Sequence, residues 1–266
     1  MPSRPIYALP VLVLVASVPA SADIVFTDNT FNPLNYDNFS ATHYLDPGVT
    51  ATYGQCQSCG NPGYALQVVV VTPSDYYHTG GDAYVGFVNN NFTYNPGTQG
   101  AIDAINASVD KNLTLNRSTT DFASNFYPLI EQGGSFYIAT IAGGTINSGT
   151  TTGYETISSQ FSWPTGLTAS DFGLFDFSTQ SFYGSSNPDF SATGAPMTFG
   201  LAPLVSANDA FTITVDYDNL YFDIVQSNTG QSPVPESSSL ALLSIFVVGL
   251  ILRGLGPAIR WKLKRR

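Results

Sequence analysis

Positive charge is almost missing from most of this chain. Between residues 23 and 228 only Lys111 and Arg117 are basic, against eighteen acidic side chains, which puts that stretch at −16. Such a surface repels nucleic acid and anionic membranes, so neither is an expected partner of this part. Glutamate is scarce as well. Sixteen of the nineteen acids are Asp, and only Glu131 and Glu155 fall in the acidic stretch. Glu and Lys are the usual surface helix formers, so their absence argues against a helical protein. The two histidines, His43 and His78, stand apart and form no H-x-H or H-E-x-x-H zinc motif; both read as loop residues. There is no G-x-S-x-G elbow, no phosphate-binding loop and no internal repeat.

What is present points to β structure. Asp, Asn, Gly and Ser cluster between short runs rich in Val, Ile, Thr, Tyr and Phe. Phe211, Ile213, Val215 and Tyr217 alternate with polar residues, and Leu220, Phe222 and Ile224 follow on one face. Asp218-Asn219 between them predicts a hairpin turn, with a continuous bent segment as the alternative. Further strands are predicted at 66–72, 83–88, 102–109, 136–142, 155–162 and 172–177. The run "LQVVVVT" suits a strand buried on both faces. "NNNFTYNPGTQG" reads as a loop, and "TDFASNFYPLI" as one short helix before Pro128. The expected fold is all-β, a single β-sandwich of jelly-roll type.

Both ends differ from the middle. The start has a basic residue, an apolar run from Tyr7 to Val18, and the small residues Ala20 and Ala22. This is the order of a secretory signal peptide cut before Asp23. At the other end, Leu240 to Leu252 carries no charge and precedes a basic cluster ending at Arg266. The run is shorter than the roughly 20 residues a bilayer needs, but Arg253 can snorkel and Leu255 to Ile259 extend it, with Trp261 at the interface. The expected organisation is a signal peptide over 1–22, the sandwich over 23–228, a linker over 229–239, one transmembrane helix over 240–259 and a basic cytoplasmic tail over 260–266. Export implies an oxidising compartment, where Cys56 and Cys59 are expected to pair. A redox role for this C-x-x-C is disfavoured, because Gly60-Asn61-Pro62-Gly63 breaks any following helix.

The tail, with Val234-Pro235-Glu236-Ser237, then the apolar run, then the basic end, resembles the PEP-CTERM sorting signal of exported bacterial proteins. Ser237 stands where that family usually has a second proline, and Arg253 is separated from the terminal cluster. The resemblance covers only about the last thirty residues. It implies recognition by an exosortase-type transpeptidase and a transient inner-membrane anchor with the C-terminus cytoplasmic. It also implies a destination in the cell envelope or a polysaccharide-rich extracellular matrix of biofilm type.

Chemistry in the body is sparse. Asp216 and Asp218 share a face if their strand is continuous, and with Asp223 they are the weak candidate for Ca²⁺, an ion that needs six to eight oxygens. The alternative is a solvated polar strand face, and no other cofactor is called for. Glu131, beside a Gly pair, reads as an exposed turn residue. Tyr36, Tyr44, Tyr53, Tyr76, Tyr77 and Tyr183 fall in or near predicted loops, where aromatic rings can stack on sugars. The leading reading is therefore a non-enzymatic exported surface or matrix protein. A carbohydrate-binding module is the alternative, and a polysaccharide-active enzyme comes third.

Overall fold

The structure, a computed structural model, describes residues 23–227 apart from 38–40, 74–79, 116–121, 141–142, 147–154, 159–165, 184–185 and 211. The sorting motif, the apolar run, the basic end and the signal sequence up to Ala22 lie outside the described residues. So do His78, Tyr76 and Tyr77. Among the described residues no helix is long and apolar enough to cross a membrane.

The described chain is all-β. Its strands are β1 (Ile24–Asp28), β2 (Thr42–Leu45), β3 (Thr50–Gly60), β4 (Gly63–Val71), β5 (Gly81–Tyr94), β6 (Ile102–Leu115) and β7 (Phe122–Gln132). Then follow β8 (Ser135–Ala139), β9 (Gly143–Ile146), β10 (Glu155–Ser158), β11 (Phe172–Asp176), β12 (Ser181–Phe182), β13 (Met197–Ala207) and β14 (Thr212–Gln226). One sheet has the order β10-β6-β14-β4-β3, with β1 also on β14; the larger runs β12-β11-β8-β7-β13-β5-β2, with β9 on β7. Every pair is antiparallel. The sheets share one apolar layer. Val68, Ile105 and Phe222 from the smaller sheet are buried with Phe87, Phe126 and Phe199 from the larger. Phe222 lies 5.5 Å from Phe199 and 6.1 Å from Phe92, ring centre to ring centre, which joins the layers directly.

Several local expectations are corrected. The hairpin expected over 211–225 does not form, because from Thr212 onward β14 runs on as one strand and pairs with β6 on both sides of Asp218-Asn219. Its inward positions are odd up to Tyr217 and even from Leu220, and a bulge there changes the parity. Asn219 absorbs that step in the left-handed region at φ 51°. "TDFASNFYPLI" is not helical. Phe122, Ser124 and Phe126 alternate inward on β7. Pro128 is tolerated because β9 pairs with Ser124 and Phe126 and β8 with Leu129 to Gln132, so neither pairs with the proline. β4 is inward on one face only, since Leu66, Val68 and Val70 are buried while Val71 is exposed. "NNNFTY" is the second half of β5 rather than a loop, and His43 is an exposed residue of β2 rather than of a loop.

Cys56 and Cys59 pair as a disulfide within β3, where the ladder to β4 is interrupted between Cys56 and Gly60. Neither cysteine lies at a helix N-terminus, the feature that lowers a thiolate pKa in redox sites.

The shared apolar layer contains one cation. Val109, Lys111 and Leu113 point inward on β6, and the Lys111 ammonium donates to the Ser124 carbonyl across the sandwich at 2.8 Å. Burial pushes the Lys111 pKa down to about 7 from 10.5. Its cross-strand neighbour Tyr217 is fully buried too, and burial pushes its phenol up. Because the folded chain holds the Lys111 proton less tightly, the cost is complete below pH 7. It fades as pH rises towards the unfolded value. Stability should therefore increase by on the order of 2 kcal/mol between pH 7 and pH 9. Lys111→Met should be more stable than the parent at pH 7 and should lack that increase. Denaturant titrations at each pH check this, and parallel pH profiles for the two proteins would refute the assignment.

Candidate functional site

Antiparallel partners share a face of a sheet, so the register of the larger sheet fixes which residues face away from the sandwich core. Thr198 is opposite Glu131, and Glu131 is opposite Phe136. In the next row Val88, Gly200, Leu129 and Ile138 align. Leu129, Ile138 and Ala202 form a second apolar cluster with Phe175 and Phe177, and Val88 and Phe136 pack on it.

This cluster is covered by the turn after β11. Phe177 is buried there, with its ring 4.9 Å from Phe175 and 5.7 Å from Phe136, both edge-on. Gly86 on β5 makes room for it, since a Cβ at that position would sit 2.7 Å from the Phe177 ring. Beyond Phe177 the face opens into a cleft of about 420 Å³. Gly86, Val88 and Asn90 of β5, Thr42 of β2, Glu131 of β7 and Phe136 of β8 line it, and Tyr36, Asp37 and Ala41 close one side. The volume is within the range of about 300–1,000 Å³ usual for small-molecule sites.

The Tyr36-Asp37 side is held by a buried carboxylate. Asp28 ends β1. Its Oδ1 accepts from the Thr30 and Phe31 backbone N–H groups at 2.8 and 3.0 Å and from the Thr30 hydroxyl at 2.9 Å. Its Oδ2 accepts from the Tyr36 hydroxyl and the Asn89 amide, each at 3.0 Å. Tyr36 closes a short 3₁₀ helix, Pro33–Tyr36, whose N-cap Asn32 accepts from the Leu34 N–H at 3.1 Å. The Tyr36 phenol is pushed well up by burial first and by the Asp28 charge second, so it stays a donor.

Asn89 belongs to a bulge. Gly200 pairs with Val88 and Thr198 with Thr93, so Asn89 to Phe92 bulge out of the ladder. Gly200 allows the close approach, since a Cβ there would meet the Phe87 carbonyl oxygen at 1.8 Å. The Asn89 Oδ1 accepts from the Asn91 N–H at 3.0 Å. Asn90 then lies at the rim, and its amide donates to the Asp37 Oδ1 at 2.7 Å. Asp37 itself sits at φ 48°. The cleft thus presents one half-exposed ring, Phe136, among the polar groups of Thr42, Asn90, Asp37 and Glu131.

The sequence-predicted residues fare differently. Glu131 is not an exposed turn residue; the turn is Gly133-Gly134, and Glu131 is a half-buried strand residue facing the cleft. Tyr36 lines the cleft but is buried and bonded to Asp28, so it is not a free stacking ring. Tyr53 packs edge-on against Phe87 at 5.1 Å at the core, and the Tyr44 hydroxyl donates to Asp46 at 2.9 Å. Tyr183 is exposed and is not one of the lining residues.

Asp216, Asp218 and Asp223 all lie on the outer face of the smaller sheet, but amide donors occupy them. Asp216 accepts from Gln67 at 2.9 Å and from Asn112 at 3.3 Å, and Asp223 accepts from Asn106 at 3.1 Å. Asp218 is fully buried and accepts from the Asn61 and Asn219 backbone N–H groups. Burial raises the pKa of both Asp216 and Asp218. Among the described residues no group of three or more His, Cys, Asp or Glu is placed to hold a metal ion. Asp37, Asn90 and Phe136, which sequence reasoning missed, carry no motif and meet only through the fold.

No protein-family description matches this chain, and no curated protein matches it. Sixteen solved chains do. One, from a study of promiscuous carbohydrate-binding modules of the β-sandwich superfamily, is 10% identical with a TM-score of 0.42, over 73% of this chain and 60% of its own. The chain therefore spans less than two thirds of that protein. A family 11 carbohydrate-binding module from Clostridium thermocellum, bound to a mixed-linked tetrasaccharide, is 12% identical with a TM-score of 0.38, over 79% and 98% of the two chains. A module described as recognising mannan is 11% identical with a TM-score of 0.37, over 76% and 98%.

The Asp28 cluster has a direct test. Asp28→Ala leaves the Tyr36 hydroxyl, the Asn89 amide and two backbone N–H groups without their acceptor. Stability should fall by about 3 kcal/mol, with a matching loss of the denaturation midpoint. A change under about 0.5 kcal/mol, the size of an ordinary surface substitution, would show that the cluster is not a structural anchor.

Proposed function

We propose that this protein is an exported, non-catalytic glycan-binding β-sandwich, wound as a jelly roll, which reaches its destination through a C-terminal sorting anchor. The observation that carries the glycan reading is the cleft on the larger sheet. Sugars offer apolar C–H faces and rings of hydroxyls. They are held by an aromatic face together with convergent donors and acceptors. Phe136 supplies such a face, and Val88 continues it as an apolar floor. Asn90, Thr42, Asp37 and Glu131 supply polar groups around it. The sites are on strands and on a loop tied down by Asp28, so they are in place before a ligand arrives.

Titration of the full-length protein, in mild detergent, with hexasaccharides of cellulose, xylan, mannan and chitin should reveal saturable binding. Phe136→Ala should weaken it by about tenfold, the equivalent of ~1.4 kcal/mol. Absence of binding to every glycan would remove the reading. Release of reducing ends from any of them would remove its non-catalytic part.

The setting is proposed from the sequence of the two ends. In this reading the signal peptide exports the chain, and the apolar run over 240–259 holds it in the inner membrane with Arg266 on the cytoplasmic side. The exosortase-type transpeptidase then acts near Pro235-Glu236. The mass of the protein from producing cells should show loss of the tail. Replacing Pro235-Glu236 by Ala-Ala, or deleting the transpeptidase, should preserve the tail. An identical mass in all three strains would exclude sorting by this signal.

A further inference from the structure

Resting on the glycan reading, we infer that the cleft selects glycans carrying free amino groups, such as a deacetylated amino-sugar polymer, over neutral chains, and that it excludes uronate polymers. The reason is that no Lys or Arg among the described residues supplies it with a counter-charge. Two carboxylates line the cleft, Asp37 and Glu131, together with an aromatic ring and an apolar floor. Among the described residues the one Lys or Arg side chain is Lys111, and its ammonium is sealed between the sheets on the Ser124 carbonyl. No Lys or Arg side chain therefore reaches the cleft from β2, β5, β7, β8 or the Pro33–Tyr36 segment that surround it.

Asp37 receives one amide hydrogen bond on Oδ1 from Asn90. The Glu131 carboxylate accepts no hydrogen bond from a described residue, and Glu131 lines the open volume beside its cross-strand partner Phe136. A carboxylate that lies beside an aromatic face and lacks a protein cation is matched by a ligand that brings its own. The sugar ring stacks while its ammonium donates to the carboxylate. A uronate ligand would instead place like charges together in a partly dry site, which is unfavourable at any register. The same charges speed capture of a polycation at low salt.

The experiment compares four hexasaccharides on the full-length protein by calorimetric titration: glucosamine, N-acetylglucosamine, glucose and guluronate polymers, at low and at high salt. The glucosamine hexamer should bind at least tenfold tighter than the two neutral ones at low salt, and guluronate should not bind. High salt should shrink the preference. Asp37→Asn combined with Glu131→Gln should abolish it, so that on this variant the glucosamine hexamer binds no tighter than the neutral ones.

A chain at −10, with −16 concentrated over residues 23–228, attracts cations everywhere, so a second pair of substitutions separates the cleft from the general field. Asp23→Asn with Asp103→Asn removes two exposed charges from the side of the smaller sheet and should leave the preference intact. If the neutral hexamers bind as tightly as glucosamine, or if the distant pair erases the preference as fully as the cleft pair, this inference is overturned while glycan binding stands. Failure of all four to bind overturns both.

Discussion

A single carboxylate, Asp28, joins the parts of this molecule that sequence leaves separate. It closes β1 of the smaller sheet, caps the turn at Thr30-Phe31, fixes the 3₁₀ segment through Tyr36 and holds the bulge of β5 in the larger sheet through Asn89. A buried carboxylate is tolerated only when its lone pairs are met, and five donors meet these. The consequence reaches the surface. Asp37 follows Tyr36 and Asn90 follows Asn89, so the rim of the cleft is set by an acid that never touches it.

The second constraint is the poverty of cations. A folded chain rich in Asp ordinarily satisfies part of its acids with Lys and Arg. Here amides take that role: Gln67 and Asn112 for Asp216, Asn106 for Asp223, Asn219 for Asp110, Gln180 for Asp82, and Asn90 for Asp37. The many Asn residues, which sequence reasoning took as markers of turns, are partly structural donors on strands. This also explains why the Asp216, Asp218 and Asp223 constellation is not a ready cation site. Asp216 and Asp218 face N–H groups through both oxygens and Asp223 through Oδ2, and among the described residues no three His, Cys, Asp or Glu side chains gather to hold a metal ion.

The larger outlines of the fold were readable because they depend on periodicity. β14, β4, β5, β6 and β11 each announce themselves by alternation or by a β-branched run. Details that depend on long-range pairing were not. The parity change in β14 fits either a turn or a bulge, and only its partner β6 decides between them. Pro128 argues against a strand unless the gap between β8 and β9 is known. The cleft was illegible for the same reason. Glu131 and Phe136 are joined by one hairpin, but Asn90 comes from β5, two places from β7 in the sheet, Thr42 from β2, three places away, and Asp37 from a loop beyond. Asp37 and Asn90 are 53 residues apart in sequence, and no spacing rule links them.

The reliance on amides gives the fold a built-in clock. Side-chain amides hydrolyse slowly to carboxylates, and at each of these pairs hydrolysis would turn a donor into a second acceptor of the same sign. A lysine partner has no such chemistry. Hydrolysis of Asn106 against Asp223, or of Asn112 against Asp216, would set like charges together and loosen β6 from β14 at the centre of the smaller sheet.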